Sequence, residues 1–245
     1  MENTLCGLLV IIFVSSRLSS AQYVSNKTGT FQVLQKHPNL NRCAADILQE
    51  NENVGVRVSE QTGECEALPR SWGLNQTIES GYAYAKKLSV EERVEPPLKL
   101  SKDDTFFWNI PGVLHTGARL DVLMTIPNPD QPKLGRDVLT LEVKRTENMD
   151  QPIRKLIMVV LDEIIVFAVR DGEDLKSVET VHPAAFASKK PFTVSFSVQE
   201  KSIKVELNGE ELHKFQAPFP VTVLNQVSMW SYDGNKRLHS LQFTG

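Results

Sequence analysis

The sequence predicts a mainly β chain, an antiparallel β-sandwich preceded by a small disulfide-bonded α+β module. Three observations carry that prediction. Phe192, Val194, Phe196 and Val198 alternate with Thr193, Ser195 and Ser197, and Ile203, Val205 and Leu207 repeat the pattern. A period of two sends one set of side chains to a core and the other to solvent. Tight-turn dipeptides punctuate the same region at Asp171-Gly172, Asn208-Gly209 and Asp233-Gly234. Asn-Gly suits a type I′ hairpin, whose two central residues both need positive φ. Helical patterning is confined to a short stretch near the first retained cysteine, and many short strands with little helix make a sandwich.

In chain order, residues 5–14 (LCGLLVIIFV) are an apolar run, followed by the small residues Ser19-Ser20-Ala21. A membrane span needs about 20 apolar residues, so residues 1–21 read as a secretory signal cleaved after Ala21. Glu2 precedes the run and no Lys or Arg does, so an uncleaved anchor is the other reading. No later segment is apolar enough to span, and the mature chain is expected to be secreted and extracellular. Asn26-Lys27-Thr28 and Asn75-Gln76-Thr77 are glycosylation acceptors at Asn26 and Asn75. Cys6 leaves with the signal, which retains Cys43 and Cys65. An oxidising compartment then allows one intramolecular pairing, with free thiols or a bridge between chains as the other arrangements.

Residues 22–95 hold both retained cysteines and both acceptors. Asn41 is an expected N-cap for a helix over 42–48, and 54–58 alternate as a strand. Thr62-Gly63 marks a turn, Cys65 and Leu68 open another strand, and Glu95-Pro96-Pro97 reads as a linker into the sandwich of residues 96–245. Residues 156–169 are apolar almost throughout, broken by Asp162-Glu163, and predict two strands around a tight turn. Leu212 and Phe215 carry the strand that returns from Asn208-Gly209.

Formal charge is −3 in 245 residues, and no basic run exceeds two adjacent residues, which excludes a nucleic-acid surface. The five histidines lack metal-ligand spacing, and no nucleophile elbow, phosphate loop or dinucleotide fingerprint is present. Asp103-Asp104 and Asp162-Glu163 read as turn or surface pairs, and no strand carries the alternating acids of a glycosidase. The chain is therefore expected to be no enzyme and to need no cofactor or metal.

Residues 104–243 resemble a galectin carbohydrate-recognition domain. The entry Ile110-Pro111-Gly112-Val113-Leu114, with Gly117 and Leu120 after it, looks like the I-P-G-G-L-x-P-G-x-x-I opening of that family, with Thr116 in place of its second Pro. Ala185-Phe186, Pro191-Phe192, the 204–209 hairpin, Phe215, 227–230, Asp233-Gly234 and 238–243 follow in the family's order. The resemblance implies a jelly-roll sandwich that grips galactose through H-x-N-P-R, V-x-N and W-G-x-E-x-R. Matching the tight turn to Leu161-Asp162-Glu163 puts the first motif's His, Asn and Arg on Leu156, Met158 and Val160, and the next Asn on Ala168. Counting back from Phe186 puts the Trp, Glu and Arg on Leu175, Val178 and Thr180. None keeps the family residue. Sugar hydroxyls are well solvated and a site must replace those hydrogen bonds; apolar side chains do not, so the usual β-galactoside site is expected to be missing. A slip of one residue would present Lys155, Ile157, Val159 and Leu161, again no lectin set. The apolar strip of Leu156, Met158, Val160, Ala168 and Leu175 is either a contact surface for protein or lipid or, the favoured expectation, covered by residues 71–100.

Arg42-Cys43-Ala44-Ala45 and 62–68 look like the PAN/apple module, and that resemblance implies a Cys43–Cys65 bond. Trp72 is the aromatic candidate for an exposed platform, while Trp108 and Trp230 are expected in the core. Lys144, Arg145, Arg154 and Arg170 are candidate surface contacts for an anion, or solvated strand ends. The resulting expectation is a secreted, glycosylated, non-enzymatic recognition protein that binds a glycan at a non-standard site or an extracellular protein. The alternative is an extracellular structural or adhesion protein that makes its contact through the N-terminal module.

Overall fold

The computed structural model describes residues 24–48, 50, 52–101, 105–125, 136–142, 153–161, 164–181, 190–232 and 236–245. Among them the strands form two antiparallel sheets, and no helix is long and apolar enough to cross a membrane. The first sheet contains β5 (Phe106–Asn109), β7 (Arg136–Glu142), β8 (Arg154–Leu161), β9 (Ile164–Asp171), β10 (Asp174–Val181) and β14 (Gln226–Ser231), in the order β10-β9-β8-β7-β14-β5. The second is built on β4 (Tyr82–Lys99), β6 (Arg119–Thr125), β11 (Phe192–Val198), β12 (Ser202–Leu207), β13 (Glu210–Gln216) and β15 (Arg237–Thr244), in the order β13-β12-β11-β6-β15-β4. β2 (Asn53–Ser59), β3 (Cys65–Pro69) and β1 (Val24–Val33) extend it to nine strands.

Alternation builds the core. Leu120, Val122 and Met124 of β6, Val194 and Phe196 of β11, and Ile203 and Val205 of β12 form one wall. Leu139 and Leu141 of β7, Leu156 and Met158 of β8, Phe167 and Val169 of β9, and Val227 and Met229 of β14 form the other. The hairpin after β12 turns at Asn208 and Gly209, with φ of 52° and 87°. Positive φ at both positions is what that dipeptide supplies.

The N-terminal residues are joined to the sandwich through one strand. Residues 89–93 of β4 lie between β1 and β15, and residues 85–86 between β1 and β2. β2 and β15 therefore follow one another along one edge of β4, and β1 runs along the other. Glu95-Pro96-Pro97, expected as a linker, is part of this strand, so the boundary placed at residue 95 falls inside β4. The prolines lie where the β4–β15 register shifts, between Arg93 and Leu98, and there a missing N–H breaks no regular ladder.

A second core sits beside the first. α1 (Leu40–Leu48) buries Leu40, Cys43, Ala44 and Ile47 against Val56, Val58 and Ala85. The helix begins one residue before the expected cap Asn41, and the Cys43 amide bonds the carbonyl of Asn39 at 3.1 Å. Cys43 and Cys65 are disulfide-bonded, with Cα atoms 5.7 Å apart, which ties α1 to β3. α2 (Arg70–Asn75) carries Arg70, whose guanidinium donates to the carbonyls of Gly112, Leu224 (2.7 Å) and Thr222 (3.3 Å). This places one cation in the entry loop of the sandwich, and burial lowers its pKa to about 10.

Candidate carbohydrate-binding face

The outer face of the six-stranded sheet is fixed by the parity of β8 and β9. Leu156 and Met158 are buried in the sandwich core, and Val160 packs against that core from its edge. Ile165, Phe167 and Val169 also point inward. Lys155, Ile157 and Val159 of β8, and Ile164, Val166, Ala168 and Arg170 of β9, take the alternate, outward positions.

This corrects the expected strip. Leu156, Met158 and Val160 do not line the outer face: the first two are buried in the core between the sheets, a core that also takes in Leu100 and is flanked by Leu98 of β4. The reason is physical. β8 is apolar on both faces, so alternation gives no parity, and a slip of one residue exchanges the faces of the whole strand. Pairing decides it: Leu141 faces Leu156 and Leu139 faces Met158, and all four are core residues. The outward set is the one-residue alternative, Lys155, Ile157 and Val159. Ala168 and Leu175 do lie outward, Ala168 buried and Leu175 60% exposed.

Cross-strand register arranges this face in rows. One row runs Leu175, Arg170, Lys155, Glu142, Gln226, Asn109. The next runs Val178, Ala168, Ile157, Thr140, Ser228, Phe107. Thr180 occupies the third row opposite Val166, which faces Val159. The side chains of Val178 and Thr180, and all of Lys144 and Arg145, lie outside the described residues.

The polar row is satisfied internally. Lys155 pairs with the buried carboxylate of Glu142, and Gln226 Nε2 donates to Asn109 Oδ1 at 3.0 Å. Arg170 Nε donates to the Gly172 carbonyl at 3.1 Å, and its Nη2 lies 3.9 Å from Glu173. Arg154 Nε donates to Asp171 at 3.3 Å. Beside this row, Ile157, Val159, Val166 and Ala168 form an apolar patch over β8 and β9. Sequence reasoning missed Glu142, Gln226 and Asn109, because they come from three distant strands that only the pairing register aligns.

The aromatic candidates are engaged. Trp72 stacks on Tyr84, with centroids 5.9 Å apart, and its indole N–H donates to the Thr77 carbonyl at 3.0 Å. Trp108 is buried and donates to Glu92 at 2.8 Å, whereas Trp230 is half-buried at an outward register position of β14. Asn26 lies on β1, and Asn75 ends α2 on the surface.

The galactoside-binding lectin family model matches residues 106–243, more than half of the chain. No curated protein matches the sequence. Sheep galectin-11 in complex with glycerol is similar at 14% identity and TM-score 0.46, over 57% of this chain and 97% of its own. A double variant of human galectin-16 is similar at 19% identity and TM-score 0.47, over 57% of this chain and 95% of its own. The Caenorhabditis elegans galectin LEC-6 is similar at 17% identity and TM-score 0.44, over 62% and 94%. The chain belongs to the galactoside-binding lectin family, the galectins.

Proposed function

We propose that this galectin-family chain is a secreted, non-enzymatic recognition protein that binds a glycan away from the family's usual galactoside face. The observation that carries this reading is the outward set on β8 and β9. Ile157, Val159, Val166 and Ala168 offer a sugar hydroxyl no hydrogen bond, and Lys155 is already paired with Glu142. A galactose laid there would lose its water without replacement, at a cost of about 1–3 kcal/mol for each buried unpaired group. Secretion rests on the apolar run of residues 5–14 and on the acceptors Asn26 and Asn75, and the disulfide suits an oxidising compartment. The likeness of the N-terminal residues to a PAN/apple module is supported by that disulfide and by a helix packed on a sheet.

A glycan array probed with chain made in a secretory host tests the reading. Reproducible hits that exclude lactose and N-acetyllactosamine are expected; hits restricted to β-galactosides, lost in Arg170→Ala, would contradict it. A second reading, an extracellular adhesion or structural protein, is favoured by Leu74 and Ile78, both more than half exposed beside Trp72. An empty array, with a partner protein whose binding is lost in Leu74→Ser/Ile78→Ser, would select it.

A further inference from the structure

We propose that the site used instead is a polar groove on the outer face of the nine-stranded sheet, and that its ligand is a neutral oligosaccharide. The inference rests on the reading above that the chain binds a glycan away from the usual face.

The register assembles the groove. Glu91, Gln242, Asp121, Ser195 and Glu206 form one outward row across β4, β15, β6, β11 and β12. Ser240, Leu123 and Thr193 form the next, which ends at the Asn208 hairpin. The hollow between them is open to solvent, measures about 540 Å³ and is lined by Glu91, Asp121, Ser195 and Gln242 of the first row and by Ser240 and Thr193 of the second.

Its polar groups are prearranged. Arg119 Nε donates to Asp121 at 2.9 Å, Nη1 to Glu206 at 2.9 Å and Nη2 to Ser195 Oγ at 2.8 Å. Lys204 donates to the other oxygen of Glu206 at 2.7 Å. That bond first, then the charges of Lys204 and Arg119, holds the Glu206 carboxyl below the usual carboxylate range. Ser195 and Glu206 are only 1% and 7% exposed although they face outward, unlike an ordinary solvated strand face. Gln242 is exposed, and its amide has no partner among the described residues.

Hydroxyl donors fit fixed carboxylates through charge-assisted bonds, and groups already held in place lose little freedom on binding. Acids and bases balance on this face: Asp121 and Glu206 pair with Arg119 and Lys204, and Glu91 accepts from Arg93 at 2.8 Å. That balance disfavours sulfated or sialylated chains and selects uncharged ones. Gln242, exposed and without a side-chain partner among the described residues, adds a hydrogen-bonding group of the kind that Ile157, Val159, Val166 and Ala168 cannot offer.

Amide chemical-shift mapping of the full secreted chain tests the proposal, with lactose, maltotriose, mannotriose and chitotriose as probes and a heparin disaccharide as the charged comparison. Saturable shifts at Asp121, Ser195 and Gln242 with at least one neutral trisaccharide are expected. Gln242→Ala and Asp121→Asn are each expected to weaken that binding by 10-fold or more. Gln242→Ala removes a side chain with no partner, so its effect is separable from misfolding. Shifts confined to β8–β10, indifferent to both variants, would overturn this site while leaving a glycan-binding protein. Stronger binding of the heparin disaccharide would overturn the neutral ligand. No binding of any glycan, here and on an array, would overturn both the site and the reading beneath it.

Discussion

Replacing Lys87 with Met isolates a charge that the fold holds at a cost. Lys87 lies where β1 and β4 shift register, is 1% exposed, and donates to the Glu50 carbonyl. Burial first, and then the charge of Lys27, lower its pKa to about 7, with Glu50 offsetting part of the effect. An unfolded lysine titrates near ~10.4. Below pH 7 the ammonium is charged in both states and the full burial cost is present. Between pH 7 and about 10.4 the folded chain loses this proton while the unfolded chain keeps it, so stability rises with pH. Above that window the effect is flat. Starting from a half-titrated group at about 1.4 kcal/mol per pH unit, the rise from pH 7 to pH 9 is about 2 kcal/mol. Lys87→Met keeps the length of the side chain and removes the titration. Urea unfolding of both proteins at pH 7, 8 and 9, followed by tryptophan fluorescence, measures the effect. Ionisable groups that do not interact with Lys87 cancel in the difference between them. That difference is expected to move by about 2 kcal/mol in favour of the native chain as pH rises; a constant difference would refute a buried, near-neutral lysine.

Arg70→Met leaves the Gly112 and Leu224 carbonyls without their donor, and a loss of about 2–4 kcal/mol is expected in denaturant unfolding, at about 1–3 kcal/mol for each unpaired group. Gly55→Ala puts a Cβ 2.6 Å from the Ala85 carbonyl oxygen of the neighbouring strand, and a fall of about 1–3 kcal/mol is expected in the same assay. Exchanging Cys43 and Cys65 for Ala opens a bond between residues 22 apart and is expected to lower stability by about 3 kcal/mol on the chain-entropy model. An unchanged midpoint in any of these variants would contradict the contact assigned to it.

Legibility in the sequence followed the strength of the local signal. The β11–β12–β13 meander was readable, because Phe192 to Val198 alternate cleanly and Asn208-Gly209 demands one turn type. Strands β8 and β9 were readable as strands, but their facing was not, since Ile157 and Met158 are equally apolar and only pairing with β7 tells them apart. β4 was hidden for a different reason. Its Pro96-Pro97 pair looks like a break, and the strand is specified by partners at both ends of the chain, β1 and β15. The polar groove was hidden likewise: Glu91, Asp121, Ser195 and Gln242 are unremarkable outward residues until four strands bring them into one row.

Titration calorimetry with lactose tests the account most directly, because the apolar outward positions of β8 and β9 are its centre. No binding heat up to millimolar lactose is predicted, alongside a folded chain with an intact Cys43–Cys65 bond. Saturable micromolar binding that is lost when Lys155 or Arg170 is replaced by Ala would contradict it.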